Sequence, residues 1–166
     1  LLPESYAICK ADMLITGEDD RNIRGPLSTL SKDQFSNQKF EYMITNPPFG
    51  EDWKEDQASV IEESKKINSR FPAGLPRVSD GSLLFLQHMI SKMEKKNSRI
   101  GIIFNNSPLN NADAGQGETK IREWIIKNDL LYSIYLGILL SRYRYQLLLR
   151  CLQNKQQLLM EHMHMF

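Results

Sequence analysis

The chain has 166 residues, a length that predicts one domain built around a single hydrophobic core. Its 21 basic and 20 acidic residues give a net charge of +1, which excludes the strongly basic signature of a protein that binds nucleic acid by charge alone. No apolar run is long enough to cross a membrane, and residues 1–4 lack the pattern of a signal peptide. The two cysteines, Cys9 and Cys151, lie far apart and predict free thiols in a reducing, cytoplasmic environment, with no metal site.

The first predicted element is a helix over residues 3–15. Its apolar residues recur at spacings of three and four, which is typical of one helix face: Ala7, Ile8, Ala11, Leu14 and Ile15. Gly17 ends the helix. Residues 27–30 are predicted to form a short strand, and residues 40–45 a second one that leads directly into the most informative stretch of the chain.

That stretch is Asn46-Pro47-Pro48-Phe49-Gly50. The two prolines fix φ and push the preceding residues into extended backbone, so the site is stiff before any ligand arrives. The Asn46 side-chain oxygen and the Pro47 carbonyl can both accept hydrogens from an amine on a flat ring, while Phe49 can stack on the ring face. Asn-Pro and Pro-Pro are also ordinary turn signals. We favour the functional interpretation because a predicted strand precedes the motif.

Residues 51–76 form a long polar segment in which residues 56–67 can be helical. A loop of this length within a compact domain is usually functional or disordered. Two interpretations of this segment therefore remain: a lid that faces the substrate, or a mobile loop. Trp53, just after the motif, can either stack on an extruded base or anchor the loop.

The second half of the chain alternates helices and strands. A helix that Asp80 or Ser82 can cap is followed by an apolar strand at residues 99–104, a helix at residues 118–127 and a strand at residues 130–134. This alternation predicts a mostly parallel sheet with helices on both faces. Ligands of such sheets bind at the carboxyl ends of the strands, where Asn46 is expected at one end and Asn105-Asn106-Ser107 at another.

Several stretches match one known family. They are Pro3–Leu14, Thr29–Ser31, the motif with Trp53 and Lys54, Arg70 with Phe71, Gly74–Pro76, Ser79–Ile90, and Asp113–Glu118 leading into Ile121–Ile125. Through these residues the chain resembles the modification subunit of type I restriction–modification systems, an S-adenosylmethionine-dependent DNA adenine N6-methyltransferase.

The resemblance implies a Rossmann-like methyltransferase fold and methyl transfer to N6 of an adenine flipped out of the duplex. Asn46 and Pro47 would accept the amine hydrogens, Pro48 would hold the geometry and Phe49 would stack on the base. The sulfonium of S-adenosylmethionine is already activated, so no metal is required. DNA, a specificity subunit and a restriction subunit are the implied partners.

The chain departs from the family at its N-terminal side. The family's glycine-rich cofactor loop and its ribose-binding acidic residue are both missing, so residues 1–134 are expected to be the C-terminal part of a catalytic domain whose fold is incomplete here. Ser28 stands where the family tends to have Asn or Asp, which leaves it as a weak candidate for a cofactor contact. We therefore expect the isolated chain to be inactive and to bind S-adenosylmethionine poorly.

A second departure begins near Tyr135. Residues 135–166 are expected to form a divergent tail, helical or disordered, either because the reading frame is altered or because an amphipathic helix binds a partner or an anionic surface. The tail contains four basic residues and one acidic residue, whereas residues 1–134 carry a net charge of −2. If residues 1–134 act on DNA, most of the positive charge that neutralises the phosphates must come from outside this region.

Two further features keep alternatives open. Residues 112–118 resemble a phosphate-cradling loop but lack the Walker spacing, so a flexible helix entry is the stronger interpretation. His88, in the middle of a helix and beside apolar residues, is interpreted as a packing residue. A rival to the enzyme hypothesis is a non-catalytic remnant that only associates with other subunits.

Overall fold

The computed structural model describes residues 3–48, 50–94, 98–105, 117–137 and 144–150. Its elements, in chain order, are α1 (Pro3–Thr16), a short 3-10 turn (Asp20–Asn22), β1 (Tyr42–Thr45), α2 (Gln57–Ser64), α3 (Ser82–Ser91), β2 (Arg99–Asn105), α4 (Gly117–Lys127), β3 (Leu131–Gly137) and β4 (Arg144–Arg150). The predicted helices and the strands near residues 42, 99 and 131 are therefore confirmed. None of the helices in these ranges has the length and apolar character needed to span a bilayer.

The four strands form one sheet in the order β1-β2-β4-β3. Strands β1 and β2 pair in parallel, with Tyr42 opposite Arg99 and Thr45 opposite Ile102. Strand β4 is antiparallel to both β2 and β3, so β1, β2 and β3 share one direction. The prediction of a mostly parallel α/β sheet is confirmed, with β4 as its one reversed strand.

Residues 27–30 do not form the predicted strand. The Ser28 carbonyl accepts a hydrogen bond from the Lys32 N–H at 2.9 Å, and the Ser28 hydroxyl accepts one from the Leu30 N–H at 3.3 Å. Local bonds of this kind compete with a strand ladder, because they satisfy the backbone within a turn. The apolar side chain of Leu30 is buried against Trp53, Val60, Phe71 and Leu84, and not in a sheet.

The tail beyond Tyr135 is not helical where it is described. Strand β3 continues to Gly137, and residues 144–150 form β4, which bonds to β2 on one side and β3 on the other. The run of leucines in β4 is typical of a strand that lies within a sheet. The prediction of a helical or disordered tail is therefore wrong for residues 144–150, which belong to the sheet. Residues 151–166 lie outside the described part.

The larger hydrophobic core lies between the sheet and helices α3 and α4. It consists of Leu83, Leu86, Met93, Ile100, Ile102, Phe104, Ile121 and Ile125. Gly81 is the N-cap of α3 and offers no side chain, so neither Asp80 nor Ser82 occupies the predicted capping position. The Asp80 carboxylate, one residue before the cap, accepts the Ser82 N–H at 3.1 Å. In contrast, α1 has no buried residue, and its apolar stripe is exposed at Ile8, Leu14 and Ile15.

A second hydrophobic core organises the long polar segment after the motif. It consists of Leu30, Trp53, Val60, Phe71 and Leu84. Three of these side chains come from residues 51–76 and are at most 4% exposed. The segment is therefore a packed part of the domain, and neither a lid nor a mobile loop describes it. A few well-spaced apolar residues suffice because each one is completely buried.

Arg70 connects this segment to the rest of the domain. Its guanidinium donates to both Glu63 carboxylate oxygens at 2.6 Å and to the carbonyls of Thr29 and Leu30 at 2.8 Å. It also lies 3.0 Å from Nδ1 of His88, which must be the acceptor because guanidinium nitrogens only donate. Burial lowers the pKa of His88 to about 4, and the charge of Arg70 acts in the same direction.

The packing of the second core predicts a large difference between two apolar residues of the same segment. Phe71 is 1% exposed, whereas Ile67 is fully exposed. Phe71→Ala should lower the free energy of unfolding by roughly 3–5 kcal/mol, because it leaves a cavity. The matched control Ile67→Ala should change it by less than about 0.5 kcal/mol. Urea denaturation measures both, and equal small effects would mean that the segment is not packed.

The His88 environment predicts a pH dependence of stability. The folded state holds His88 neutral down to about pH 4, whereas the unfolded chain binds the proton near pH 6.5. Stability should therefore fall as the pH drops from 7 to 5, with a His88 contribution of about 2 kcal/mol. In His88→Gln, which keeps an acceptor for Arg70, this loss should be absent. An unchanged pH slope in that variant would contradict the assignment.

Candidate active site

The motif begins at the carboxyl end of β1. Asn46 is exposed there and Pro47 is buried, while Pro48 is exposed. Phe49 lies outside the described residues. Gly50 has φ 65°, a left-handed backbone that residues with a Cβ rarely adopt, so the chain turns sharply as it leaves the motif. The structure thus gives a stiff, exposed amide at a strand end.

The carboxyl end of β2 lies at the same edge of the sheet. Because β1 and β2 are parallel and Thr45 is opposite Ile102, β2 extends three residues further, to Asn105. The prediction that Asn46 and Asn105 follow neighbouring strand ends is confirmed for the backbone. Asn106 and Ser107, which sequence reasoning placed at the same edge, lie outside the described residues.

A cavity of about 480 Å³ opens beside β1, immediately before the motif. Most of its walls are apolar or aromatic, and the polar lining residues are two threonines, a histidine and a lysine. The lining residues are Thr29, Phe40, Tyr42, Met43, Ile44, Thr45, Phe85, His88, Met89 and Lys92. β1 is the edge strand of the sheet, and Tyr42 and Ile44 are 68% and 90% exposed. The cavity can hold an apolar ring, but none of its lining residues is a carboxylate that could bind ribose hydroxyls.

Ser28, the candidate cofactor contact, is already engaged within the protein. Its hydroxyl donates to the Asp56 carboxylate at 2.6 Å, at the start of α2. This bond connects the turn at residues 28–31 to the segment after the motif. A cofactor that used the Ser28 hydroxyl as a donor would have to compete with Asp56, so a role for Ser28 stays a prediction.

Trp53 anchors the segment that follows the motif. The indole is 4% exposed and its Nε1 donates to the Arg77 carbonyl at 2.9 Å. Its backbone N–H donates to the Val78 carbonyl at 3.1 Å, and the Gly81 N–H donates to the Glu51 carbonyl at 3.1 Å. Of the two roles left open for Trp53, anchoring is the one that this geometry supports, because a buried ring has no free face for a base.

The start of α4 contacts the same segment. The buried Glu118 carboxylate accepts the Arg77 N–H at 3.0 Å and lies 3.6 Å from Nε of Arg77. A Cβ placed on Gly117 would come within 1.6 Å of the Leu75 carbonyl oxygen. Gly117 and Glu118 form a tightly packed helix start. For these two residues, both predictions, a phosphate-cradling loop and a flexible helix entry, are therefore wrong. Residues 112–116 lie outside the described part.

Two ion pairs with little solvent exposure, Lys92–Asp33 and Arg70–Glu63, hold separate segments of the chain together. Lys92 is buried, pairs with Asp33 and donates to the Phe35 carbonyl at 2.7 Å. Burial by itself would raise the pKa of Asp33, but the hydrogen bond from Lys92 holds it below its usual range. The same balance, with Arg70 as the donor, lowers the pKa of Glu63. In the described ranges, no three His, Cys, Asp or Glu side chains are grouped so that they could hold a metal ion.

Comparison with known proteins identifies the family. The family described as N-6 DNA Methylase matches residues 2–138. The type I restriction enzyme MjaIX methylase subunit of Methanocaldococcus jannaschii is 29% identical over 135 residues, which cover 80% of this chain and 23% of that protein.

A solved structure has a similar fold. It is the type I restriction-modification system methyltransferase subunit from Streptococcus thermophilus, with a TM-score of 0.73 and 16% identity, and the match covers 93% of this chain and 33% of that one. The chain thus spans a third or less of the length of either protein. Because the family match extends over most of the sequence, the chain belongs to the N-6 DNA methylase family.

Proposed function

We propose that this chain is part of the catalytic domain of a type I modification methylase, which transfers a methyl group to N6 of adenine in DNA. The observation that carries the proposal is the exposed Asn46, followed by two prolines, at the carboxyl end of β1 in a chain of the N-6 DNA methylase family. This edge of a parallel sheet is where such folds bind their ligands.

The chemistry that these residues supply is hydrogen-bond acceptance. The adenine N6 lone pair is delocalised into the ring, which makes the amine a poor nucleophile. The side-chain oxygen of Asn46 and the carbonyl of Pro47 would accept its two hydrogens and so localise the lone pair on nitrogen. Pro48 would keep both acceptors in place, and Phe49 would stack on the base after it has left the duplex.

The methyl donor would be S-adenosylmethionine, whose sulfonium supplies an activated methyl group. The described residues do not fit a complete site for it, because the cavity beside β1 lacks a carboxylate and the Ser28 hydroxyl already bonds to Asp56. We attribute the missing contacts to the remainder of a longer methylase subunit. The relatives are about three or four times as long as the matched segment, which supports this view.

The proposed partners follow from the same assignment. The names of both similar proteins describe a subunit of a type I restriction system, which supports an assembly of several subunits. DNA would be the substrate, read by a specificity subunit, and a restriction subunit would join for cleavage. Cys9 is an exposed free thiol, in agreement with a cytoplasmic location.

The role of Asn46 is testable in a full-length methylase subunit that carries this segment. Asn46→Ala should reduce methyl transfer to DNA by more than tenfold, because one of two amine acceptors is lost. Binding of S-adenosylmethionine, measured by calorimetry, should be unchanged. Asn68→Ala, another exposed asparagine, is the matched control and should keep full activity. Activity of Asn46→Ala above a tenth of the parent would refute the assignment.

Substitutions of Phe49 separate a stacking role from a packing role. Phe49→Tyr and Phe49→Trp should retain activity, whereas Phe49→Ala should lose roughly 1–3 kcal/mol of stacking, or about tenfold to a hundredfold in catalytic efficiency. Melting temperature and methyl transfer are measured on the same sample. An unstable but fully active Phe49→Ala variant would show that Phe49 only packs.

A further inference from the structure

Two connections at the carboxyl edge of the sheet converge on one residue, Arg77. The segment that leaves the motif after β1 and the helix that follows β2 both bond to the Arg77 backbone. The carbonyl accepts Trp53 Nε1–H at 2.9 Å, and the N–H donates to Glu118 at 3.0 Å. The three residues Trp53, Arg77 and Glu118 are called the Arg77 bridge below.

Packing on both sides makes the Arg77 bridge rigid. Trp53 is 4% exposed and Glu118 is 5% exposed, so each hydrogen bond is shielded from water. The backbone approach of Gly117 to Leu75 leaves no space for a side chain, which fixes the start of α4 against the residues that precede Arg77. A shift at either end of the bridge must therefore displace the other end or break a buried hydrogen bond.

The position of the bridge indicates what it controls. Trp53 lies three residues after Gly50, where the motif ends in a left-handed turn. Glu118 lies in the first turn of α4, the helix that follows β2 in sequence. We propose that the Arg77 bridge couples the two strand-end connections and that Trp53 and Glu118 are positioning residues for the motif. The link to catalysis rests on the proposed function, whereas the coupling itself does not.

The coupling is testable in this chain by fluorescence, because it has only two tryptophans. The other one, Trp124, lies on α4 and packs against the larger core. In a Trp124→Phe background, tryptophan emission comes from Trp53 alone. Glu118→Ala should then shift the emission to the red and increase quenching by acrylamide, although the altered residue is 65 positions away.

Three further variants control for a general loss of structure. Glu123→Ala removes an exposed carboxylate from the same helix and should leave the Trp53 emission unchanged. Glu118→Gln keeps an oxygen acceptor for the Arg77 N–H and should restore most of the parent signal. Gly117→Ala should perturb Trp53 as Glu118→Ala does. Circular dichroism verifies that each variant is folded, and Glu118→Asp, which withdraws the acceptor by one methylene group, takes the place of the alanine variants if they unfold.

A red shift in folded Glu118→Ala or Gly117→Ala that is absent in Glu123→Ala supports the coupling. Unchanged Trp53 emission in a folded Glu118→Ala or Gly117→Ala protein overturns it. If the alanine variants unfold, a red shift in folded Glu118→Asp that is absent in Glu118→Gln supports the coupling, and parent emission in both overturns it.

The catalytic role is measured separately, in the full-length methylase subunit. Trp53→Phe keeps the packing but removes the indole donor, and kcat should fall by about tenfold to a hundredfold with little change in KM, since a displacement near 1 Å has effects of that size. Trp124→Phe should leave both constants unchanged. Coupling in the fluorescence experiment without an effect on kcat would refute the positioning role alone. If the parent subunit has no activity, the proposed function fails while the fluorescence result stands.

Discussion

At the carboxyl edge of the sheet, the connections that follow β1 and β2 are both hydrogen-bonded to the backbone of one residue, Arg77. The Arg77 carbonyl accepts from the Trp53 indole, and its N–H donates to the Glu118 carboxylate. Hydrogen bonds to a charged partner contribute roughly 1.5–3 kcal/mol each, and a buried group left without its partner is destabilising by a similar amount. The proposed site, in which Asn46 and Pro47 would accept the hydrogens of an amine, would need this stiffness, because the exposed Asn46 amide has no packing of its own to hold it in place.

The charged residues that hold the domain together are distinct from the exposed residues of the candidate site. The charged groups that are most deeply buried are paired within the protein: Arg70 with Glu63, Lys92 with Asp33, and Glu118 with the Arg77 main chain. Breaking one partner of such a pair would be strongly destabilising. Asn46, in contrast, is neutral and exposed.

Periodic patterns were sufficient to predict α1, α3, β2, α4 and β3, since each is long enough for its apolar residues to repeat. They were not sufficient where a few residues decide the structure. The Ser28 turn depends on one side-chain hydrogen bond, and residues 51–76 fold around three widely spaced apolar side chains. β4 was not predicted, because its run of leucines lies beyond the point near Tyr135 where the family pattern ends.

The Arg77 bridge could not be predicted from sequence at all. Arg77 and Glu118 are 41 residues apart, and Trp53 and Arg77 are 24 apart. Sequence patterns singled out Trp53 and the loop that contains Gly117, but they did not predict that both regions contact the Arg77 backbone or its neighbours. The motif was identified correctly in its location, at the end of β1, because an apolar strand followed by two prolines constrains the chain locally.

We propose that this segment directs a methyl group to an exocyclic adenine amine. The most direct measurement uses a full-length methylase subunit that carries the segment, assembled with its specificity subunit, DNA and S-adenosylmethionine with a deuterated methyl group. The DNA is then digested to nucleosides and analysed by mass spectrometry. The proposed role of Asn46 predicts deuterium in N6-methyldeoxyadenosine with the parent protein, and loss of that deuterium with Asn46→Ala. Label in a methylated cytosine, or equal labelling by the Asn46→Ala protein, would contradict it.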